Sequence, residues 1–268
     1  MMRLCFSTLA CEEWAWEKIC RKAAEYGYAG VELRFTAGIK DLLQNPEFQP
    51  AIVPEALQRA RQAGIETACV DSSVKLVAND QLAHGKGCID IAAGLNCPRV
   101  RVFCGKPREG VDHEDALDFA ASQAHELAVY GQSKGVRVLL ETHDYSVRTE
   151  TALEIIQRVD HENFGILWDV HHTHRMAGEE IRRTWSLLSP YCDFIHVKES
   201  HGNQTKFLYC LPGEGDFPWD TMASLLKEDG FSGWLSVEWE RAWIPALEPP
   251  ETALPAYAAH LRRLGLGS

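Results

Sequence analysis

The 268-residue chain lacks most features that mark a function class at a glance. It has no surplus of basic residues, since 27 Lys and Arg face 38 Asp and Glu for a net charge of −11. A field of that sign repels phosphate backbones, so no nucleic-acid partner is expected. A local Arg/Lys cluster still leaves room for a small anionic substrate. No apolar run approaches the roughly 20 residues of a membrane span, so no membrane partner is expected either. The opening MMRLCFSTLACEEW turns acidic before a signal-like stretch forms, which makes the cytoplasm the expected location. Among nine cysteines no pair has CxxC spacing, which removes a zinc ribbon and a thioredoxin-type motif. Cys5, Cys69 and Cys104 sit in or just after apolar runs and read as small buried hydrophobes. No linker, low-complexity tract or charge block divides the chain. Residues 1–268 are therefore expected to form one domain.

What the chain does have is alternation. Short β-branched runs lie at Arg3–Ser7, Gly30–Arg34, Ile65–Asp71, Arg99–Phe103, Val136–Glu141, Gly165–Asp169, Phe194–Lys198 and Trp234–Glu238. Helical patterns separate them at Glu13–Tyr26, Pro54–Ala63, Asp80–Ala93, Glu114–Lys134, Glu150–Val159, Glu179–Leu188 and Trp219–Lys227, and Glu251–Leu264 closes the chain. Gly27, Gly64 and Gly135 suit left-handed positions just past helices, and Pro54 suits a first turn. Repeated strand–helix units imply parallel pairing. Eight of them in this length predict an α/β fold, a single (β/α)8 TIM barrel. The alternative is a doubly wound open sheet. Its Gly-rich fingerprint is absent, because Ser7-Thr8-Leu9-Ala10 follows the first strand. Two long connections, Phe35–Val53 and Gly202–Pro218, leave C-terminal strand ends, and either could serve as a substrate lid.

The last four strands end in Glu141, Asp169, His196 and Glu238. Neighbouring barrel strands lie roughly 4.8 Å apart, so four such side chains aimed at the axis could converge on one point. Three carboxylates crowded in a half-buried site repel one another, and a divalent cation resolves the conflict. Three oxygen donors and one imidazole suit Mn²⁺ first, then Mg²⁺ or Co²⁺, with Zn²⁺ less favoured. The metal ligands expected are therefore Glu141, Asp169, His196 and Glu238.

At these residues the sequence resembles the xylose-isomerase-like barrels of the sugar phosphate isomerase/epimerase (AP endonuclease family 2) kind. The likeness covers essentially the whole chain. It includes Gly30-Val31-Glu32-Leu33, Val100-Arg101-Val102-Phe103, Gly213-Glu214-Gly215-Asp216 and Gly233-Trp234-Leu235-Ser236-Val237-Glu238-Trp239-Glu240. That superfamily holds ketose 3-epimerases, hydroxypyruvate isomerase, inosose and 3-dehydroshikimate dehydratases, and endonuclease IV. The resemblance implies an enzyme that isomerises or epimerises a keto-sugar or related polyol ketone through a metal-stabilised enediolate. Glu141 and Glu238 would be its acid/base pair, and His172 would contact substrate, its alternative being a partner to the ligands. The homo-oligomers common in the superfamily are an implication of the same kind.

A second reading is a dehydratase. His143 and Lys198 each lie two residues beyond a ligand on the same strand face. They resemble the base and the oxyanion-stabilising group of the dehydratases, and Arg101 resembles their substrate-anchoring arginine. Otherwise His143 orients a ligand, and Lys198 pairs with Glu199 or Glu240. Glu32 contacts a substrate hydroxyl or pairs with Arg34 or Arg3. His171 and His174 are surface residues, or with His172 a second zinc site. The Gly213–Asp216 run reads as a tight turn; as a phosphate cradle it has no Lys or Ser. Most of Trp14, Trp16, Trp168, Trp239 and Trp243 read as wall packing. A nuclease like endonuclease IV is a remote alternative, opposed by the net charge. A binding-only barrel is opposed by retention of all four ligands.

Overall fold

The structure, a computed structural model, describes residues 1–267. Seven strands come first: β1 (Arg3–Ser7), β2 (Gly30–Leu33), β3 (Glu66–Lys75), β4 (Arg99–Phe103), β5 (Arg137–Glu141), β6 (Phe164–Asp169) and β7 (Cys192–Val197). A small antiparallel hairpin of β8 (Ser200–Asn203) and β9 (Lys206–Tyr209) follows, and then β10 (Trp234–Val237). All but the hairpin pair in parallel and close a barrel in the order β1-β10-β7-β6-β5-β4-β3-β2. Around it run α1 (Trp16–Glu25), α2 (Val53–Gln62), α3 (Leu82–Gly94), α4 (His113–Lys134), α5 (Thr149–Val159), α6 (Ile181–Leu188), α7 (Trp219–Glu228) and α8 (Pro250–Arg263). The expected (β/α)8 barrel is what forms. Among the described residues no helix is long and apolar enough to cross a membrane.

The period-2 pattern of each strand sorts its side chains. Val138 and Leu140, Ile166 and Trp168, Ile195 and Val197, and Leu235 and Val237 face outward into the main core under the helices. Their neighbours face the barrel axis, where Cys5, Cys69, Leu139, Leu167, Phe194 and Trp234 fill a lower layer. Two residues further along the same strands stand Glu141, Asp169, His196 and Ser236. An apolar plug thus carries a polar layer directly above it. Cys5, Cys69 and Cys104 are fully buried, as expected.

Helix ends follow local chemistry. Gly27, Gly64 and Gly135 adopt φ of 78°, 71° and 70° just past α1, α2 and α4, where a left-handed residue closes the helix. Asp112 accepts from Glu114 N at 2.9 Å and caps α4. Two stretches depart from expectation. Strand β3 continues past Asp71 to Lys75, with a register shift against β4. The connection after β7 is not an open loop, because it folds into the β8–β9 hairpin. The Phe35–Val53 connection is pinned by Phe48, whose ring packs 5.6 Å from Trp16.

Glu199, immediately after β7, organises the rest of that connection. Its buried carboxylate accepts from Ser200 N at 2.9 Å, Phe217 N at 3.1 Å, Gly213 N at 3.2 Å and Trp219 Nε1 at 2.6 Å. The Gly213–Asp216 run is a turn wrapped on this carboxylate. A Cβ at Gly215 would stand 2.4 Å from Glu199 Oε1 and 2.3 Å from the Ser200 carbonyl, so only glycine fits. Removing the acid strands several buried donors at once. Glu199→Ala is expected to lower unfolding free energy by about 3 kcal/mol or more in urea titration; an unchanged midpoint would contradict this account of the loop.

Candidate active site

The polar layer opens into a cavity of about 440 Å³ at the carboxyl ends of the strands. Glu141, Asp169, His196 and Glu238 bring four donor atoms within 4.8 Å of one another beneath it. His196 Nδ1 stands 3.5 Å from Glu238 Oε2 and 3.8 Å from both Glu141 Oε1 and Asp169 Oδ2. Donors bound about 2.1 Å from one ion lie roughly 3–4 Å apart, so the set has metal-site dimensions. His196 Nδ1 is buried and has no hydrogen-bond partner. Its other nitrogen, Nε2, donates to Glu32 Oε1 at 2.7 Å. That bond places the proton on Nε2 and turns the Nδ1 lone pair toward the acids, the tautomer a metal ligand needs.

Charge makes the same point. Glu32, Asp71, Glu141, Asp144, Asp169, Glu238 and Glu240 crowd this end of the barrel, faced among the described residues by Arg34, Lys75, Arg101 and Lys198. Burial disfavours a charged His196, yet Glu32 and Glu238 outweigh it and hold its pKa well above the ordinary value, so a bound ion would take the place of a proton on Nδ1. Burial and the neighbouring Asp71 push Glu32 up to about 8, and burial pushes Glu240 up to about 7 despite Lys198. The acids call for more positive charge than the side chains supply, and a divalent ion fits that donor set.

Glu32 does not reach the cavity. It lies fully buried, accepting from His196 and, at 2.5 Å, from Ser236 Oγ. It pairs with neither Arg34 nor Arg3; the latter bridges to Glu66 at 2.6 Å. Arg101 borders the cavity but is engaged by protein. Its Nη2 is 3.1 Å from Asp71 Oδ2, its Nη1 donates to the Ser72 carbonyl at 3.1 Å, and its Nε stands 3.1 Å from Glu141 Oε2, off hydrogen-bond axis. Lys198 is buried, 2.8 Å from Asp169 Oδ2 and 2.9 Å from Glu240 Oε1, and it bonds Glu238 Oε2. Its ammonium makes no ion pair with Glu199.

His172 follows Asp169 on a π-helical turn (His172–Met176), and its backbone N–H donates to Asp169 Oδ1 at 2.8 Å. Lys198 Nζ lies 3.2 Å from His172 Nε2. A donated ammonium proton leaves the ring proton on Nδ1, which faces Asp169 Oδ2 at 3.2 Å. His143 lines the cavity with its Nδ1 3.1 Å from Asp144 Oδ1 and its ring 4.8 Å from that of His172. Burial alone would lower its pKa; Asp144 and Glu141 more than reverse that and raise it. His171 and His174 are taken up elsewhere, by Ser200 Oγ at 2.7 Å and the Glu179 carbonyl at 3.2 Å. Of the tryptophans singled out, Trp243 alone lines the cavity. Sequence reasoning missed Arg34 as a cavity residue, along with Ser73, Lys75 and Glu240.

A closed barrel with an acid-rich donor set beneath a cavity at its strand ends is the architecture of a TIM-barrel site. The chain belongs to the xylose isomerase-like TIM barrel family, whose sequence profile matches residues 20–264. Inosose isomerase from Halalkalibacterium halodurans is 29% identical over 161 residues, 57% of each chain. The chain thus matches little more than half the length of that relative. Putative hydroxypyruvate isomerase from Homo sapiens is 25% identical over 216 residues, 71% of this chain and 76% of that one. Inosose dehydratase from Bacillus cereus is 25% identical over 215 residues, 73% and 67% of the two chains. D-psicose 3-epimerase has the same fold, with a TM-score of 0.79 at 14% identity over 98% of this chain and all of the other (100%). So does the IOLI protein, solved with a zinc atom, at a TM-score of 0.75 and 19% identity over 98% and 96% of the chains. The relatives are isomerases, epimerases and dehydratases.

His171 gives this region a pH signature. Burial, then the charge of Lys198, lowers its pKa to about 3, against about 6.5 in an unfolded chain. Between those values only the unfolded chain takes up the proton, so stability is full above pH 6.5 and falls as pH drops toward 3. His171→Gln is expected to show a shallower fall in urea midpoint between pH 7 and 4.5 than the unaltered protein, and an identical slope would refute the assignment.

Proposed function

We propose that this protein is a divalent-metal-dependent isomerase or epimerase of a keto-sugar or related polyol ketone. One observation carries the reading. Of the four clustered donors, Glu141 and Glu238 line the cavity, while Asp169 and His196 lie beneath it. The two glutamates come from the ends of β5 and β10, which β6 and β7 separate, so they address the cavity from different sides. Asp169, His196, Glu141 and Glu238 would hold the ion, with Mn²⁺ the proposed metal and Mg²⁺, Co²⁺ or Zn²⁺ the alternatives. A bound divalent ion polarises a substrate carbonyl and acidifies the adjoining C–H.

The side chains then handle protons. Burial raises the Glu141 pKa even against Arg101. Glu238 is buried too, yet Lys198 and His196 hold its carboxyl well below the usual range. The two carboxyls thus have different neighbours, Arg101 for one and Lys198 with His196 for the other, and together they would form the acid/base pair. One glutamate removes the α-proton to give an enediolate, and the other returns a proton at the adjacent carbon or the opposite face. His172 lines the cavity and would contact substrate through its ring. Trp243 and Phe103 would offer apolar faces to the carbon chain.

A dehydratase is the second reading, favoured by His143. Its ring is at the cavity, outside the four donors, and its raised pKa suits a base that removes an α-proton before a β-hydroxyl leaves. Lys198 weakens that reading. It is buried among acids and does not border the cavity, where an oxyanion-stabilising group would be needed.

Elemental analysis is expected to find about one divalent ion per chain, and chelation to abolish turnover. Glu238→Gln is expected to lower kcat by about 10²–10⁴-fold; a variant with bound metal and normal turnover would overturn the acid/base role. Product analysis on inosose, common ketoses, 3-dehydroshikimate and 3-keto-glycosides separates the readings, and full turnover by His143→Ala on its true substrate eliminates the lyase. Glu32→Gln is expected to weaken metal affinity about 10–100-fold through His196, so equal affinity by calorimetric titration would count against that role.

A further inference from the structure

Arg34 is the unexplained charge of the cavity. It follows β2, lines the cavity and is only 8% exposed. Its Nη1 donates to the Asp71 carbonyl at 3.2 Å and to Ser73 Oγ at 2.9 Å, both neutral acceptors. Nε and Nη2 have no protein acceptor, and no carboxylate pairs with Arg34 among the described residues. Arg101, its neighbour, has Asp71 and Glu141 beside it and is spoken for. The carboxylates of Asp71, Glu141 and Glu238 act on Arg34 only from beyond ion-pair distance, so its free Nε and Nη2 remain available to an anion that enters the cavity.

The surroundings hold this cation in place. Thr8 Oγ1 accepts from both Arg34 N at 2.8 Å and Phe35 N at 3.0 Å, which fixes the backbone. The guanidinium lies 4.4 Å over the Phe35 ring. The extension of β3 supplies the rest. Ser73 and Lys75 alternate with Asp71 on one face, so Ser73 reaches Arg34 and Lys75 stands at the cavity rim. Burial and the charge of Arg101 pull the Arg34 pKa down to about 10, a strain that a nearby anion would relieve.

We infer that Arg34, with Ser73 and Lys75, is the seat of a substrate oxyanion, either a carboxylate or a phosphate, on the side of the cavity formed by β2 and β3. The substrate of the proposed isomerase is then an acidic polyol ketone and not a neutral sugar; the inference rests on that reading only for the remainder of the molecule. Planar, forked donors left free beside a hydroxyl match either oxyanion.

Three matched probes test it: D-glucitol, D-gluconate and D-glucitol 6-phosphate, titrated by calorimetry into the full chain with and without Mn²⁺. One or both charged probes are expected to bind at least about tenfold tighter than D-glucitol. Preference for gluconate identifies a carboxylate site, and preference for the phosphate ester a phosphate site. Arg34→Gln is expected to erase the preference, Arg34→Lys to keep part of it, and Lys75→Gln to reduce it severalfold. Equal binding of charged and neutral probes to the unaltered protein overturns the inference, as does a preference that survives Arg34→Gln. Discrimination without Mn²⁺ binding keeps this inference and sinks the metal reading; one Mn²⁺ per chain without discrimination does the reverse.

Discussion

Crowding of negative charge at one end of a closed barrel governs this molecule. Parallel strands locked into a ring cannot spread to relieve repulsion between the acids they carry. Each acid is therefore matched to a particular neighbour. Arg101 spans Asp71 and Glu141, Lys198 spans Asp169, Glu238 and Glu240, and Glu32 grips His196. These contacts balance part of the charge and fix the rotamers of the donor set. The remaining imbalance is what a divalent ion is suited to neutralise.

The fold was legible because its signals are local. Strand runs such as Val136–Glu141 and Trp234–Glu238 alternate in hydrophobicity, and glycines mark the helix ends. The clustering of the donor set was legible for the same reason, since each member stands at or near the end of a readable strand. What lay hidden depends on register and distance. Glu32 and His196 are 164 residues apart in sequence, and only barrel closure sets one beneath the other. No local pattern distinguishes a glutamate that reaches the cavity from one that supports a histidine from below. The β3 extension escaped notice because Ser72-Ser73-Val74-Lys75 is polar and reads as loop. It is strand only because β4 lies alongside it.

The ring around the donors divides differently from what sequence spacing suggests. Residues two apart on a strand share a face, but they do not share a depth. His143 emerges into the cavity, whereas Lys198, placed by the same rule, is enclosed by three carboxylates. Arg101 has the residue type of a substrate anchor, but its guanidinium is occupied by protein. Arg34, which the sequence offered only as a partner for Glu32, is the arginine with donors to spare. Side-chain identity thus proposes a role, and the competition among neighbouring charges decides it.

The two tiers inside the barrel have a consequence for descent. Leu139, Leu167, Phe194 and Trp234 make the plug, and the next inward positions of the same strands bear the polar groups. Stability is inherited through the lower tier and reactivity through the upper one. Mutational drift at the rim, in segments such as Ser73–Lys75 or His143–Asp144, can alter what is accepted and which bond is broken without disturbing the plug. A lineage built this way is free to change its chemistry by small steps, because each trial leaves the folded chain intact.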